Sequence, residues 1–196
     1  MKSITLTGLT LSHEQVIAVA YGASVELDKQ KLIAVAKTAE FLAQQVKQQQ
    51  PLYGVSTGFG SNADKLLGAH HIRSSHKTDE TLLEELQRNL IITHAVCVGE
   101  PFSSEVVRAM MVIRINTLMR GHSGIRVETL QALTSMLNAG IVPIVPQLGS
   151  VGASGDLAPL SHLAIVLLGG GEAFYQGRRI PGAQALQEAG LLPITL

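Results

Sequence analysis

The sequence predicts a mainly α-helical protein in which two glycine-rich loops interrupt the helices. Along most of the 196 residues, apolar side chains recur three and four positions apart, which places them on one face of an α-helix. Apolar residues make up 46% of the chain and charged residues 15%, a composition typical of a globular protein with a buried core. Strand-like alternation is confined to one short stretch near the C-terminal end. The predicted fold class is therefore mainly α, with one small β-hairpin.

Charge and cysteine content exclude several classes of function. Acidic and basic residues balance at 15 each, so no basic excess indicates a nucleic-acid partner. The single cysteine, Cys97, excludes an internal disulfide and a multi-cysteine zinc site, and its apolar helical context favours a buried structural thiol. The first fifteen residues lack the pattern of a signal peptide, and no apolar run reaches the roughly 20 residues of a membrane span. We therefore expect a cytoplasmic protein without a membrane partner.

The first two helices are expected from their start and stop signals. Ser12 and Gln15 have the spacing of a capping box, in which each side chain bonds the other residue's backbone N–H. Gly22 follows as a C-terminal stop. A longer apolar repeat starts after Asp28, and Pro51 bounds it because proline disfavours helix in the residue before it.

Three further helices are expected from apolar repeats that close at glycine-containing turns. The first repeat begins at Leu82 and closes near Gly99. Ser104 is expected to cap the second, which closes at Gly121. The third ends before the turn Asn138-Ala139-Gly140.

Two glycine-rich segments and a hairpin complete the predicted organisation. One segment is Tyr53–Gly60 and the other is Gly149–Gly155. The second precedes a helix that Asp156 is expected to cap and whose first turn tolerates Pro159. The stretch from Ala173 to Ile180, turning near its glycine, is typical of a β-hairpin.

The segment Gly149–Leu160 contains the residues with unusual chemistry. It is not a nucleophile elbow, because the motif G-x-S-x-G requires a glycine two positions after the serine and Asp156 stands there. It is not a phosphate loop, because no lysine follows the glycines. The spacing alone is compatible with a tight turn before a capped helix. The tripeptide Ala153-Ser154-Gly155, however, can also cyclise. The Gly155 nitrogen attacks the Ala153 carbonyl, and loss of water, including the Ser154 hydroxyl, leaves 4-methylidene-imidazol-5-one, an electrophile that no unmodified side chain supplies.

This segment resembles the signature of the aromatic amino-acid ammonia-lyases, the class of histidine, phenylalanine and tyrosine ammonia-lyases. The resemblance extends over essentially the whole chain. Further segments that resemble the family are Tyr53–Gly60, Leu86–Leu90 with Thr93–Ala95, Ser123–Arg126 and Asn138–Gly140. The resemblance implies that residues 1–196 form the N-terminal, cofactor-bearing domain of the ammonia-lyase fold, with the cofactor-forming loop at a helix N-terminus. It also implies that a helical bundle follows in the family after the position of Leu196.

The resemblance also implies a reaction and the roles of individual residues. In the family, the methylidene group takes up the substrate amine and a base removes the weakly acidic β-proton, so that ammonia and an α,β-unsaturated acid leave. Tyr53 corresponds to the catalytic tyrosine, although a loop tyrosine packed as an apolar plug is the alternative. Gly60 corresponds to a glycine near the substrate. Asp156 corresponds to an acid that assists cyclisation, which is compatible with a capping role.

The substrate implied by the resemblance is L-histidine, with urocanate as product. Thr93 and His94 stand where histidine enzymes have Ser-His, so His94 is the predicted substrate-binding residue. Ser56 and the stretch Ser61–Asp64 are closer to some phenylalanine enzymes. A phenylalanine or tyrosine ammonia-lyase, or an aminomutase, therefore remains the alternative.

Metal binding is not predicted. His70, His71 and His76 lie close together in the sequence, but an exposed polar loop is favoured over a metal site.

The resemblance finally implies an oligomer. Family enzymes are tetramers whose sites combine several subunits, and the bundle supplies an asparagine, a second tyrosine and an arginine for the substrate carboxylate. We therefore expect a homotetramer in the complete enzyme and little or no activity of the 196 residues alone. An inactive module that contributes only oligomer contacts is one rival, and a Ser154 hydrolase is a weaker one.

Overall fold

The structure is a computed structural model that describes residues 3–58, 79–152 and 154–196. It confirms a mainly α-helical chain with small sheets. In chain order the elements are β1 (Ile4–Leu6), α1 (His13–Ala20), β2 (Val25–Leu27), α2 (Lys29–Lys47), α3 (Asp79–His94), β3 (Val98–Pro101), α4 (Ser104–Leu118), α5 (Val127–Asn138), β4 (Val142–Pro143), β5 (Pro146–Leu148), α6 (Leu157–Leu167), β6 (Glu172–Tyr175), β7 (Arg178–Pro181) and α7 (Gly182–Glu188).

Helix α1 begins at its predicted cap, and α2 begins after Asp28, where the longer apolar repeat was predicted to start. At α1 the backbone N–H of Gln15 donates to Ser12 Oγ at 3.3 Å, and the Ser12 N–H donates to Gln15 Oε1 at 2.9 Å, which completes the capping box. At α2 the Lys31 N–H donates to the Asp28 carboxylate at 2.9 Å. Both helices therefore satisfy backbone donors that would otherwise lack partners.

Two predicted helix boundaries were wrong. Helix α3 ends at His94 rather than near Gly99, because the following residues pair as strand β3 with β5. Helix α4 begins at Ser104, but its N-cap is Ser103, which makes no side-chain capping bond.

Short strands tie the helices together in three small sheets. Strands β1 and β2 pair in parallel, β3 pairs with β5, and β4–β6–β7 form a three-stranded antiparallel sheet. The hairpin predicted from Ala173 to Ile180 is confirmed as β6 and β7. Its two turn residues, Gln176 and Gly177, have φ values of 49° and 75°, as a type I′ turn requires. The other strands have two to four residues each, too short for an alternation signal in the sequence.

The core lies between α1, α4 and α5 and extends to α6 and α7. Met111, Ile115, Leu130 and Leu137 are fully buried there. No helix in the described part of the chain is both long enough and apolar enough to cross a lipid bilayer.

Two polar side chains bind the core elements together through backbone groups. The buried guanidinium of Arg108 on α4 donates to carbonyls at the end of α1 and near the end of α5. Asn138, at the end of α5, pairs with Val25 like a strand neighbour: its Oδ1 accepts from the Val25 N–H at 2.9 Å and its Nδ2 donates to the Val25 carbonyl at 2.8 Å.

Candidate active site

The predicted cofactor loop connects β5 to α6. Ser154 is exposed, and Gly155 has φ +63°, a conformation that side chains disfavour and glycine adopts readily. The Asp156 N–H donates to the Ser154 carbonyl at 2.7 Å, which closes a compact turn around Gly155. Ser154 and Gly155 thus lie directly before the helix that starts at Leu157, as predicted. Ala153 lies outside the described residues.

Asp156 occupies the N-cap position of α6 but does not cap the helix through its side chain. This part of the prediction was wrong for a local reason. A capping residue needs an extended backbone for its side chain to reach back to the first turn, whereas Asp156 has φ −108° and ψ −5°. The same residue lines a groove of about 440 Å³ between α4, α5 and α6, mostly apolar, with Arg114 as the other charged member.

Tyr53 stands on a tight turn whose hydrogen bonds converge on one carbonyl. The Leu52 carbonyl accepts from the backbone N–H groups of Val55, Ser56 and Thr57 at 3.0 to 3.2 Å. The turn holds Tyr53 with 68% of its surface exposed, so the alternative of a packed apolar plug does not hold within the described part of the chain. Gly60 lies outside the described residues.

The hydroxyl of Ser56 forms two hydrogen bonds within this turn. It accepts from the Leu52 N–H at 2.8 Å and donates to the Gln50 carbonyl at 2.5 Å, and the residue is buried. Ser56 therefore orders the turn from within.

His94 ends helix α3 in a defined tautomer. Its Nδ1 lies 2.8 Å from the Leu90 carbonyl oxygen, which can only accept, so Nδ1 bears the proton. In the neutral ring Nε2 is then a hydrogen-bond acceptor. The half-buried ring can thus accept a hydrogen bond from an N–H group of a ligand.

Cys97 connects the His94 end of α3 to the cofactor loop. A Cβ built on Gly149 would lie 2.3 Å from Cys97 Sγ and 2.9 Å from its Cα, so the loop backbone rests directly on this residue. Burial of Cys97 is confirmed, and burial raises the pKa of its thiol, which makes the thiolate less accessible. The sequence placed Cys97 in a helix, whereas it lies between α3 and β3.

His162 on α6 is a residue near the loop that sequence reasoning missed. Its Nε2 accepts a hydrogen bond from the Cys97 N–H at 3.1 Å. Burial lowers the pKa of His162, partly opposed by a hydrogen bond to the Ile144 backbone. The ring is therefore neutral at neutral pH. A lone histidine in an apolar helical pattern gave no signal of these partners.

Among the described residues, no group of three or more histidine, cysteine, aspartate or glutamate side chains is arranged to hold a metal ion. The interpretation of His70, His71 and His76 as a polar loop falls outside the described residues.

Comparison with known proteins decides the family. A family model described as aromatic amino acid lyase matches residues 11–196. The chain belongs to the aromatic amino acid lyase family. It is 46% identical over 197 aligned positions to the histidine ammonia-lyase of Symbiobacterium thermophilum, in an alignment that covers 100% of this chain and 36% of that protein.

Solved structures of lyase family members share the fold. Histidine ammonia-lyase from Trypanosoma cruzi superposes with a TM-score of 0.83 at 36% identity, covering 100% of this chain and 36% of that one. Tyrosine aminomutase from Streptomyces globisporus gives a TM-score of 0.86 at 35% identity, over 100% and 35% of the two chains. The chain thus spans about a third of the length of the curated relatives and solved structures that it matches.

Proposed function

We propose that this chain is the cofactor-bearing part of a histidine ammonia-lyase, which converts L-histidine to urocanate and ammonia. The observation that supports this most strongly is the 46% identity to a histidine ammonia-lyase along the whole chain. A phenylalanine or tyrosine ammonia-lyase is the alternative with the same chemistry.

The residues of the loop fit the methylidene-imidazolone group. Ser154 is exposed and Gly155 has positive φ within a compact turn, so the backbone of these two residues is already tightly turned and the serine side chain is accessible. Ala153, Ser154 and Gly155 would form the group, which supplies an electrophilic carbon for the substrate amine. Because the Asp156 carboxylate makes no capping bond, we assign it to proton transfer during cyclisation. The N-terminal end of α6 favours negative charge nearby.

Tyr53 is the proposed base for the β-proton. Its turn is held by backbone bonds to Leu52, which present the phenol at the surface instead of burying it. A phenol is a poor base near neutral pH, so the role requires a positive or electrophilic neighbour in the assembled site. We place Gly60 beside the substrate in the same loop.

His94 is the proposed specificity residue. With Nδ1 bonded to the Leu90 carbonyl, its Nε2 accepts from the N–H of a substrate imidazole. A phenyl ring offers no such donor, and a site built around a hydrogen bond rejects ligands that leave it unpaired. Ser56, which weakened the histidine assignment in the sequence, bonds only within its own turn among the described contacts.

The surface around the loop supports an assembled site. Val98, Leu148 and Val151 are 63%, 65% and 83% exposed, although they flank the proposed reaction centre. Apolar residues concentrated at one place indicate a surface that another segment or subunit covers. Together with the tetramers of the family that the sequence resembles, this surface leads us to propose a homotetramer, to be tested by light scattering on the full-length protein.

The experiment compares kcat/KM of the full-length protein for L-histidine, L-phenylalanine and L-tyrosine. We expect L-histidine to be preferred and His94→Leu to reduce that preference at least about tenfold, while the exposed His122→Leu serves as control. Ser154→Ala should abolish both activity and the loss of two water molecules from the protein mass. A parent enzyme that prefers L-phenylalanine, or His94→Leu with an unchanged preference, contradicts the assignment.

A second candidate function follows from the similarity to tyrosine aminomutase at a TM-score of 0.86. An aminomutase would return ammonia to the β-carbon and release a β-amino acid. Chromatography of the products distinguishes the two functions, since a lyase accumulates only the unsaturated acid.

A further inference from the structure

The inference concerns His162, which lies about one turn into α6 and has no role in the proposed chemistry. Its Nε2 accepts from the Cys97 N–H at 3.1 Å, so in the neutral ring Nδ1 bears the proton. The Ile144 backbone raises the pKa of His162, as a nearby acceptor does. One neutral imidazole therefore joins α6 to a segment 65 positions earlier in the sequence.

The segment around Cys97 defines the start of the cofactor loop. Val98 pairs with Leu148 in the β3–β5 sheet, and Gly149 packs on Cys97 so closely that no side chain fits between them. The backbone at Cys97 thus fixes where the loop begins.

The end of the same loop is fixed by α6. Helix α6 starts directly after Asp156, and His162 connects this helix back to Cys97. Cys97 therefore contacts the start of the loop at Gly149 and, through His162, the helix at its end. Cys97 also follows His94 by three positions, so the same contact sets the loop relative to the proposed specificity residue.

We propose that His162 is a positioning residue that holds α6 against Cys97 and thereby sets the compression of the Ala153-Ser154-Gly155 tripeptide and its placement relative to His94. The proposal rests on the proposed function, because it gives the His162–Cys97 hydrogen bond a role in cyclisation and in orienting the substrate. Cyclisation joins atoms of neighbouring residues and depends on their close approach, and misplacement by about 1 Å can cost roughly a hundredfold in rate.

The test compares four versions of the full-length protein: wild type, His162→Leu, His162→Gln and the exposed-histidine control His122→Leu. Leucine removes the hydrogen bond to Cys97, whereas the glutamine amide oxygen can still accept it. For each protein, peptide mass spectrometry gives the fraction of tripeptide that has lost two waters, and steady-state kinetics give kcat and KM for L-histidine.

We expect His162→Leu to lower the cyclised fraction severalfold and kcat per cyclised site at least about tenfold, with little change in KM. His162→Gln should recover most of both, and His122→Leu should match wild type. Wild-type cyclisation and kcat in His162→Leu, or a folded His162→Gln that is as defective as His162→Leu, would overturn the proposal.

If His162→Leu does not fold, His162→Asn replaces it. Its shorter amide reaches the position of Nδ1 but not that of Nε2, so it cannot accept from the Cys97 N–H. Equal cyclised fractions in the asparagine and glutamine variants then refute the positioning role of the His162–Cys97 hydrogen bond. A wild-type protein that is cyclised but does not deaminate L-histidine refutes the proposed function alone, since the cyclised fractions still decide the role of His162. A wild type without any loss of water refutes both.

Discussion

Replacing Arg108 by methionine should destabilise the protein by about 3 kcal/mol. Arg108 is 8% exposed, and burial without an acidic partner lowers the pKa of its guanidinium. Its Nε donates to the Val19 carbonyl at 2.9 Å, Nη1 to the Leu137 carbonyl at 2.9 Å and Nη2 to the Ala23 carbonyl at 3.3 Å. Methionine preserves the aliphatic stem but removes all three donors.

The magnitude follows from what each carbonyl retains. The Val19 carbonyl still accepts from the Gly22 N–H at 3.1 Å, and the Leu137 carbonyl from the Gly140 N–H at 3.1 Å. Each therefore loses one ordinary bond, about 1 kcal/mol. Among the described hydrogen bonds, the Ala23 carbonyl has only Arg108, so it loses roughly 1–3 kcal/mol. Release of the buried charge offsets part of the sum, which leaves about 3 kcal/mol.

The assay is urea unfolding followed by far-ultraviolet circular dichroism. Arg120→Met is the control, because Arg120 is an exposed arginine just after the end of α4. We expect a lower midpoint for Arg108→Met at an unchanged m value, and no measurable shift for Arg120→Met. Arg108→Lys should not restore stability, since one ammonium cannot reproduce the forked geometry of the guanidinium. An Arg108→Met protein as stable as the control would show that water or backbone shifts satisfy the carbonyls.

Three further substitutions test other contacts. Asn138→Asp removes the donor to the Val25 carbonyl and should lower the free energy of unfolding by about 1–3 kcal/mol at neutral pH; the loss should shrink as pH falls and the carboxyl is protonated, and a pH-independent loss would contradict the contact. Gly149→Ala forces a methyl group against Cys97 and should cost about 1–3 kcal/mol in the same titration; an unchanged midpoint would contradict the close packing of Gly149 on Cys97. Glu172→Gln breaks an exposed ion pair with the neighbouring strand and should leave the midpoint unchanged; a large shift would mean that the pair is not screened by solvent.

Several elements were predictable because their determinants are local. The capping box at Ser12, the start of α2 after Asp28 and the hairpin turn at Gly177 each depend on residues within a few positions of one another. The position of Ser154 and Gly155 before a helix followed in the same way from the helical repeat after them.

Local signals failed where a backbone conformation competed with them. Asp156 has the residue type of an N-cap, but the turn at Gly155 places its backbone in the helical region, and the side chain cannot then reach the first turn. Helix α3 stops at His94 because the residues after it bond to β5, a partner that the local repeat does not contain.

By itself, the sequence determined the helical class, the starts of α1 and α2 and the tripeptide with its flanking glycines, since these depend on residue type and near neighbours. Only the tertiary structure decided which residues hold that loop in place. Cys97 and His162 are 65 positions apart, and Arg108 bonds carbonyls as far as 89 positions away. Each such contact joins a side chain to a backbone group that every residue possesses. No residue pattern therefore predicts the partner, and the contact exists only once the helices have packed.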